Sequence, residues 1–397
     1  MRRIVIVGGS LAGHRAAQAL RGYGYDGELT VVGAEPHLPY DRYPLSKAFL
    51  TGRTDRQGLD IDGTPPDTTW RVGETATGLD LGAREVVVGH RTRIPFDGLV
   101  VATGARPRDV ATVSGADGAF VLRTVEDAHD LRAALGARAC RVVVVGGGLI
   151  GAEVAATAVA GGHDTTLVDP ADVPTQRAVG LPIAEHLLRL HRDAGVRLRL
   201  RTRTRGLDVH GGAVTGVVLD DGTRLPADVV VMATGTTPNA EWLRGSGLTI
   251  SAGLACGPTM HALGSRRVVG AGDVVSAPHP LLDGESLRIE HWASTLDHAD
   301  LAAANLLVGP GQARPLTSLP TFGTTIHRAP IRSVGFPQVA DRSRLVWGSL
   351  ESGEALVALG RRDRLVGVIS LNAHERLPQL ADWLRPDAAY DDVRLLE

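Results

Sequence analysis

The sequence predicts an α/β protein that uses one design twice. Two doubly wound parallel-sheet domains, the second inserted in the first, are followed by a small α+β domain. Three observations predict it. A run of β-branched residues turns through glycines into a helical stretch at Ile4–Gly13 and again at Arg141–Gly151. A buried strand closes in Ala-Thr-Gly at Ala102-Thr103-Gly104 and again at Ala233-Thr234-Gly235. From Pro320 onward the periodicity is strand-like, and then helical over Leu377–Leu384. The expected domains are 1–110 with 240–318, the inserted 111–239, and 319–397.

Ile4-Val5-Ile6-Val7 reads as a strand covered on both faces, and Ala16-Ala17-Gln18-Ala19-Leu20 as the helix after it. Between them Gly8 makes the turn and Gly13 lets helix and strand pack closely, while the free N–H groups of the helix start suit a pyrophosphate. The middle glycine of the G-x-G-x-x-G pattern is Ser10, small enough to keep the backbone approachable. The second turn has Gly146, Gly148 and Gly151 in register. The carboxylates past the next strands, Glu35 and Asp169, stand where such folds hold a ribose hydroxyl. No arginine follows Asp169 within several residues to receive a 2′-phosphate, so the second site is expected to prefer NADH over NADPH.

Composition narrows the function. The 397 residues are 43% hydrophobic with a formal net charge of -2, and the aromatic content is only 4%, which argues against nucleic acid as a partner. The longest apolar stretch, Val142–Ala160, carries Glu153 and consecutive glycines, so it reads as the second turn and not as a membrane span. The first strand begins by Ile4, and no signal peptide is expected. Cys140 and Cys256 lie far apart and outside any C-x-x-C, which fits a cytoplasmic protein without a redox-active thiol pair. Among 42 basic residues Lys47 is the only lysine, which marks it as a place where arginine would not serve.

Taken in order, Glu28–Val32 is the second parallel strand. The proline-stiffened stretch Leu38–Lys47 carries Arg42, whose planar fork suits a phosphate, and Lys47, a compact point charge. Thr69–Val88 reads as short strands with a turn at Asp80-Leu81-Gly82, and Thr124 as the N-cap of a helix reaching Leu135. Gly104 and Gly235 let the backbone approach a cofactor at the two strand exits. Val196–Arg205 reads as one strand of a hairpin with Ala213–Leu219, with Arg197, Arg199, Arg201, Arg203 and Arg205 on a solvated face. Val268–Asp273 is a strand ending in Gly-Asp, and Ala293–Leu307 a helix whose N-terminal dipole can face an electron-rich ring. His14, His37 and His291 read as packing residues.

These marks, above all Pro-Leu-Ser-Lys ending at Lys47, Gly-Gly-Gly-Leu-Ile-Gly-Ala-Glu ending at Glu153, Ala-Gly-Asp ending at Asp273 and Glu290-His291-Trp292, resemble the FAD-dependent ferredoxin reductases. These are the reductases of the putidaredoxin reductase and dioxygenase ferredoxin reductase group, within the pyridine nucleotide-disulfide oxidoreductase fold. The resemblance implies FAD contacts at Ala12, Glu35, Arg42, Lys47, Ala76, Arg123, Asp273 and Trp292. It implies an NADH site lined by Gly148, Gly151, Glu153, Asp169, Arg177 and Gly235, and a Lys47–Glu153 pair beside the flavin. It implies a ferredoxin–NAD(+) reductase that passes electrons to an iron–sulfur ferredoxin, of [2Fe–2S] or [3Fe–4S]/[4Fe–4S] type, serving a cytochrome P450 or ring-hydroxylating oxygenase. An NADH oxidase-type flavoenzyme and a flavin-bearing signalling protein are the alternatives. Where the group carries Phe-Trp-Ser-Asp-Gln at the start of the third domain, this chain has Phe322-Gly323-Thr324-Thr325-Ile326, without the aromatic cover. Arg53, Arg56, Arg361, Arg362 and Arg364 are candidates for docking an acidic acceptor.

Overall fold

The computed structural model describes residues 1–65, 67–108, 115–136 and 138–393. The chain divides into two compact units. The first comprises Met1–Asp41, Asp60–Arg106 and Thr237–Thr321; the second comprises Arg42–Leu59, Pro107–Thr236 and Phe322–Glu397.

The first unit is built on a parallel sheet in the order Val268–Gly270, Gly98–Val101, Arg3–Val7, Glu28–Gly33, Thr68–Val72. Ile4 and Ile6 on its central strand are almost wholly buried, as a strand covered on both faces requires. The helices Leu11–Gly22 and Trp292–Val308 lie against each other. Alanines on both, Ala12, Ala16 and Ala19 against Ala299, Ala302 and Ala303, keep that contact close. The Thr69–Val88 reading divides as expected into short strands. Thr68–Val72 joins the parallel sheet, while Ala76–Asp80 and Glu85–Val88 form an antiparallel meander with Thr92–Pro95.

The second unit repeats the plan, in the order Arg197–Leu200, Asp164–Asp169, Arg141–Val145, Val229–Met232, Ala119–Phe120, again parallel. Its helix Val125–Gly136 starts in a reciprocal cap: Thr124 Oγ1 accepts from Asp127 N–H at 3.2 Å, and the Asp127 carboxylate accepts from Thr124 N–H at 2.8 Å. The helix Gln176–Asp193 is kinked where Gly180 adopts φ 71°, with Pro182 following. The C-terminal residues form an antiparallel sheet of Thr321–Ile326, Ala329–Gly335, Arg364–Leu371, Glu354–Arg361 and Arg342–Ser349, with a one-turn helix, Leu377–Ala381, shorter than its apolar spacing suggests.

One expectation fails here. Val196–Arg205 is not a single strand. Arg197–Leu200 is the parallel edge of the second sheet, Arg201 turns through a left-handed φ of 56°, and only Thr204–His210 pairs with Ala213–Leu219. The arginines remain exposed, but Arg197 and Arg199 lie on the first strand, Arg205 on the second, and Arg201 and Arg203 on the connection between them. Alternation alone cannot show that break, because period two is the same in a parallel edge strand and in a hairpin.

Candidate functional site

The two glycine turns are built alike. Gly8 has φ 125°, and a Cβ there would stand 2.0 Å from the Ala102 carbonyl oxygen; Gly146 has φ 99°, with the Ala233 carbonyl oxygen at 2.3 Å. A Cβ on Gly13 or Gly151 would stand 1.8 Å from the carbonyl oxygen of Gly8 or Gly146. Both helices start without a side-chain cap, at Ser10 and Gly148, which leaves first-turn N–H groups for an anion. A Cβ on Gly148 would meet nothing within 4 Å.

Around the first turn, Glu35 is half-buried past the second strand and accepts from the Tyr40 hydroxyl at 2.5 Å. Ala12 lies against Gly272, where an added Cβ would be 3.1 Å from the Ala12 Cβ, and Asp273 follows on a short turn. The exit Thr103-Gly104 is closed by Asn239: Thr103 Oγ1 donates to the Asn239 carbonyl at 2.6 Å, and Asn239 Nδ2 donates to the Thr103 carbonyl at 2.9 Å. Ala76 opens the meander. The helix from Trp292 has no side-chain cap, and Trp292 itself is 48% exposed, a large aromatic left uncovered at a positive helix end. Glu290 is ion-paired with Arg288 at 2.5 Å. Burial pushes the His291 imidazole down to about 4, against the pull of Asp273. A bare helix start, a pinned acid past the second strand, and small residues where backbones approach together fit FAD in this unit.

In the second unit Lys47 sits on a π-helical turn, Leu45–Phe49, in which Phe49 N–H reaches back to the Pro44 carbonyl at 3.0 Å. Its ammonium lies 2.7 Å from Glu153 Oε2 and 4.2 Å from the centre of the Tyr43 ring. Glu153 is the one charge on the apolar helix Leu149–Ala160 and is 4% exposed, with Lys47 18% exposed. Such a buried carboxylate is tolerable only if its lone pairs are met. Oε2 accepts from Lys47 and from the Ser46 hydroxyl, and Oε1 accepts from the Thr324 hydroxyl. Thr157 in turn donates to the Ser46 carbonyl at 3.0 Å. At an effective dielectric of about 20, unit charges about 4 Å apart attract by about 4 kcal/mol, which favours a lysine and a carboxylate side by side here.

Asp169 has both carboxylate oxygens committed: Oδ2 accepts from Gly147 N–H at 2.6 Å and Oδ1 from Ala171 N–H at 2.7 Å. It thereby fixes the glycine turn to the strand end and keeps further lone pairs for a ribose hydroxyl. Arg42 and Arg123 come together, Arg42 Nη1 donating to the Arg123 carbonyl at 2.7 Å. Arg177 stands exposed on the first turn of its helix, and Gly235, at φ 102°, accepts from Arg108 N–H at 2.8 Å.

Residues 2–299 match the pyridine nucleotide-disulphide oxidoreductase family. This chain belongs to that family. It is 34% identical over 379 residues to putidaredoxin reductase CamA of Pseudomonas putida, covering 93% of this chain and 88% of that protein. It is 33% identical over 375 residues to rhodocoxin reductase of Rhodococcus erythropolis, covering 93% and 86%. In structure it is similar to the reductase of a covalent putidaredoxin reductase–putidaredoxin complex, with a TM-score of 0.89, 31% identity, and 96% and 93% of the two chains covered.

The family name mentions a disulphide, yet Cys140 and Cys256 are both free and buried. Burial holds the Cys140 thiol above its ordinary value and pushes that of Cys256 up to about 12, so neither is a ready nucleophile. Sequence reading missed two of the hydroxyls that complete the oxidoreductase's charged centre. Ser46 was adjacent to the signal at Lys47. Thr324 comes from a strand more than 150 residues beyond Glu153 in sequence, and only the fold delivers it. At Gly323 a Cβ would stand 1.9 Å from Arg332 Nη1, so the Arg332 side chain lies across that glycine.

Proposed function

We propose that this protein is an NADH-dependent flavoprotein reductase that passes electrons one at a time to a small iron–sulfur ferredoxin, and so serves a cytochrome P450 or a ring-hydroxylating oxygenase. The observation that carries this reading is the Lys47–Glu153 centre. The chain's only lysine is tied to a buried carboxylate two residues past the last glycine of the second turn, with no thiol in the set. On this reading the first unit's turn binds FAD and the second unit's turn binds NADH. When bound, FAD supplies the chemistry, accepting a hydride from NADH and releasing electrons singly.

The chain's own residues bind, orient and set charge. The helix start at Ser10 takes the FAD pyrophosphate, Glu35 a ribose, and Asp273 a ribityl hydroxyl. The helix start at Trp292 contributes roughly half a positive charge. Lys47 supplies a fixed cation for the electron-rich ring, Glu153 holds that cation in place, and the Ser46 and Thr324 hydroxyls hold the Glu153 carboxyl group, while neither partner exchanges a proton with substrate. Asp169 and the bare start of helix Leu149–Ala160 orient NADH. Arg53, Arg56, Arg361, Arg362 and Arg364 are the cations offered to an acidic acceptor. The reading carries with it a cytoplasmic location, consistent with two buried free thiols. Among the described residues no helix is long and apolar enough to cross a membrane.

The test is anaerobic rapid mixing of the FAD-loaded protein with NADH, then with a ferredoxin and cytochrome c. Fast flavin bleaching followed by ferredoxin-dependent cytochrome reduction is expected. Fast bleaching without transfer to a ferredoxin would replace the reductase by an oxidase, and slow bleaching would place the protein among signalling flavoproteins.

A further inference from the structure

The arginine stripe of the sequence has a member that the function above leaves unused. Leu200, the last residue of the edge strand Arg197–Leu200, pairs in register with Asp169. That register sets Arg201 beside the loop leaving Asp169. Arg201 N–H reaches the Ala171 carbonyl at 3.4 Å, and Thr202 N–H reaches the Asp169 carbonyl at 3.2 Å. The Arg201 guanidinium lies in a two-point fork on Asp172, Nη2 to Oδ2 at 2.7 Å and Nε to Oδ1. Asp169 and Asp172 therefore do different things three residues apart: the first is pinned by backbone N–H groups, and the second grips an arginine.

At the end of the second strand of such a fold, a carboxylate selects a ribose 2′-hydroxyl, and an arginine fork accommodates a 2′-phosphate. This loop holds both devices and has filled the second with its own carboxylate. The two side chains are 77% and 57% exposed, so their pairing adds little to stability. What the pairing controls is where the guanidinium points.

We propose that Asp172 is a specificity-determining residue for the dinucleotide. By holding Arg201 it withholds the fork from a 2′-phosphate, and its own charge repels one, so the site takes the unphosphorylated cofactor. The proposal rests on the reading that the second glycine turn binds NADH. Arg177, on the first turn of the following helix, is the rival cation for a 2′-phosphate.

The experiment is calorimetric titration of the FAD-loaded protein with NAD(+) and NADP(+), for the native chain, Asp172→Asn, Arg201→Gln and the double variant. Because both side chains are exposed, matching melting curves serve as the folding control. Asp172→Asn is expected to raise NADP(+) affinity relative to NAD(+) by at least about tenfold, the worth of one charge-assisted hydrogen bond, with NAD(+) affinity held within about twofold. Adding Arg201→Gln is expected to remove that gain. No gain in Asp172→Asn overturns the proposal, as does a gain that survives Arg201→Gln, which would move the 2′-phosphate to Arg177. A native chain that binds neither nucleotide overturns the NADH reading itself and this proposal with it, whereas tight NAD(+) binding with no gain leaves that reading standing and sinks only the proposal.

Discussion

A methyl group at Gly13 or at Gly151 would stand 1.8 Å from a backbone oxygen of its own turn, yet two positions further on the turns part company. After Gly13 comes Arg15, 40% exposed and paired with Asp300, itself 33% exposed, at 2.6 Å. After Gly151 comes Glu153, 4% exposed and held by Lys47, Ser46 and Thr324. The same local frame thus carries a surface ion pair in one unit and a dry charged centre in the other. The glycine spacing is common to both turns; the residue two places beyond is where they differ in burial and charge.

The largest effect should come from the frame. Gly8→Ala adds a left-handed φ penalty to a backbone clash, and should cost more than about 3 kcal/mol. Gly151→Ala should cost a similar amount. Melting temperature and the flavin-to-protein absorbance ratio check both. A Gly8→Ala protein that melts like the native chain and keeps its flavin would show that the two turns do not share one steric rule.

Next comes the point of difference. Lys47→Met strands Glu153 beside two hydroxyls, and breaking a buried pair by removing one partner costs about 3–5 kcal/mol. Flavin reduction by NADH should slow at least about tenfold, the rate equivalent of 1.4 kcal/mol. Arg15→Met breaks only an exposed pair and should cost at most about 1 kcal/mol with no change in that rate. Anaerobic rapid mixing and thermal melts read both. An unchanged reduction rate in Lys47→Met would remove the assignment of Lys47.

A third contrast lies in acid sensitivity. The first turn follows Gly13 with His14, buried beside Trp70, where the second follows Gly151 with Ala152. Burial holds His14 below its ordinary value and pushes His298, on the packed helix, down to about 4. The unfolded chain takes up these protons below about pH 6.5, but the folded one does not until lower pH, so stability is present above 6.5 and is lost as pH falls toward about 4. His298→Gln keeps a polar group without the titration. Its melting temperature should fall less steeply between pH 6.5 and 4, and an identical slope would take His298 out of the account.

Much of this was legible because it is local. Gly13 and Gly151 are required by contacts within their own strand–turn–helix, Gly8 and Gly146 by a left-handed φ at the turn itself as well as by the strand exits they touch, and Thr124 by its own cap. Lys47 was legible through composition, as the one lysine. Thr324 and Arg201 were not, since each reaches its partner through sheet order and register: Thr324 through a C-terminal strand, Arg201 through an edge strand paired to Asp169. The split of the arginine stripe was hidden for the same reason. A single left-handed residue, Arg201, separates a parallel edge from a hairpin, and nothing in the side-chain alternation marks it.

The smallest expected effect is the most discriminating for the middle glycine. Ser10 has φ -106° and Gly148 φ -66°, so neither needs a conformation reserved for glycine. A Cβ at Gly148 meets only open space, so no packing inside the unit requires glycine there. On the proposed function the third position of the pattern is set by the ligand, through the closeness with which a pyrophosphate can approach the backbone. Gly148→Ser should leave the melting temperature within the range of a change of about 0.5 kcal/mol, typical of surface positions, while weakening NADH binding measured by calorimetry. Ser10→Gly should be equally silent in stability and should not loosen FAD. If Gly148→Ser instead lowered the melting temperature as far as Gly151→Ala, the middle glycine would belong to the frame, and the tolerance of Ser10 in the first turn would need a cause of its own.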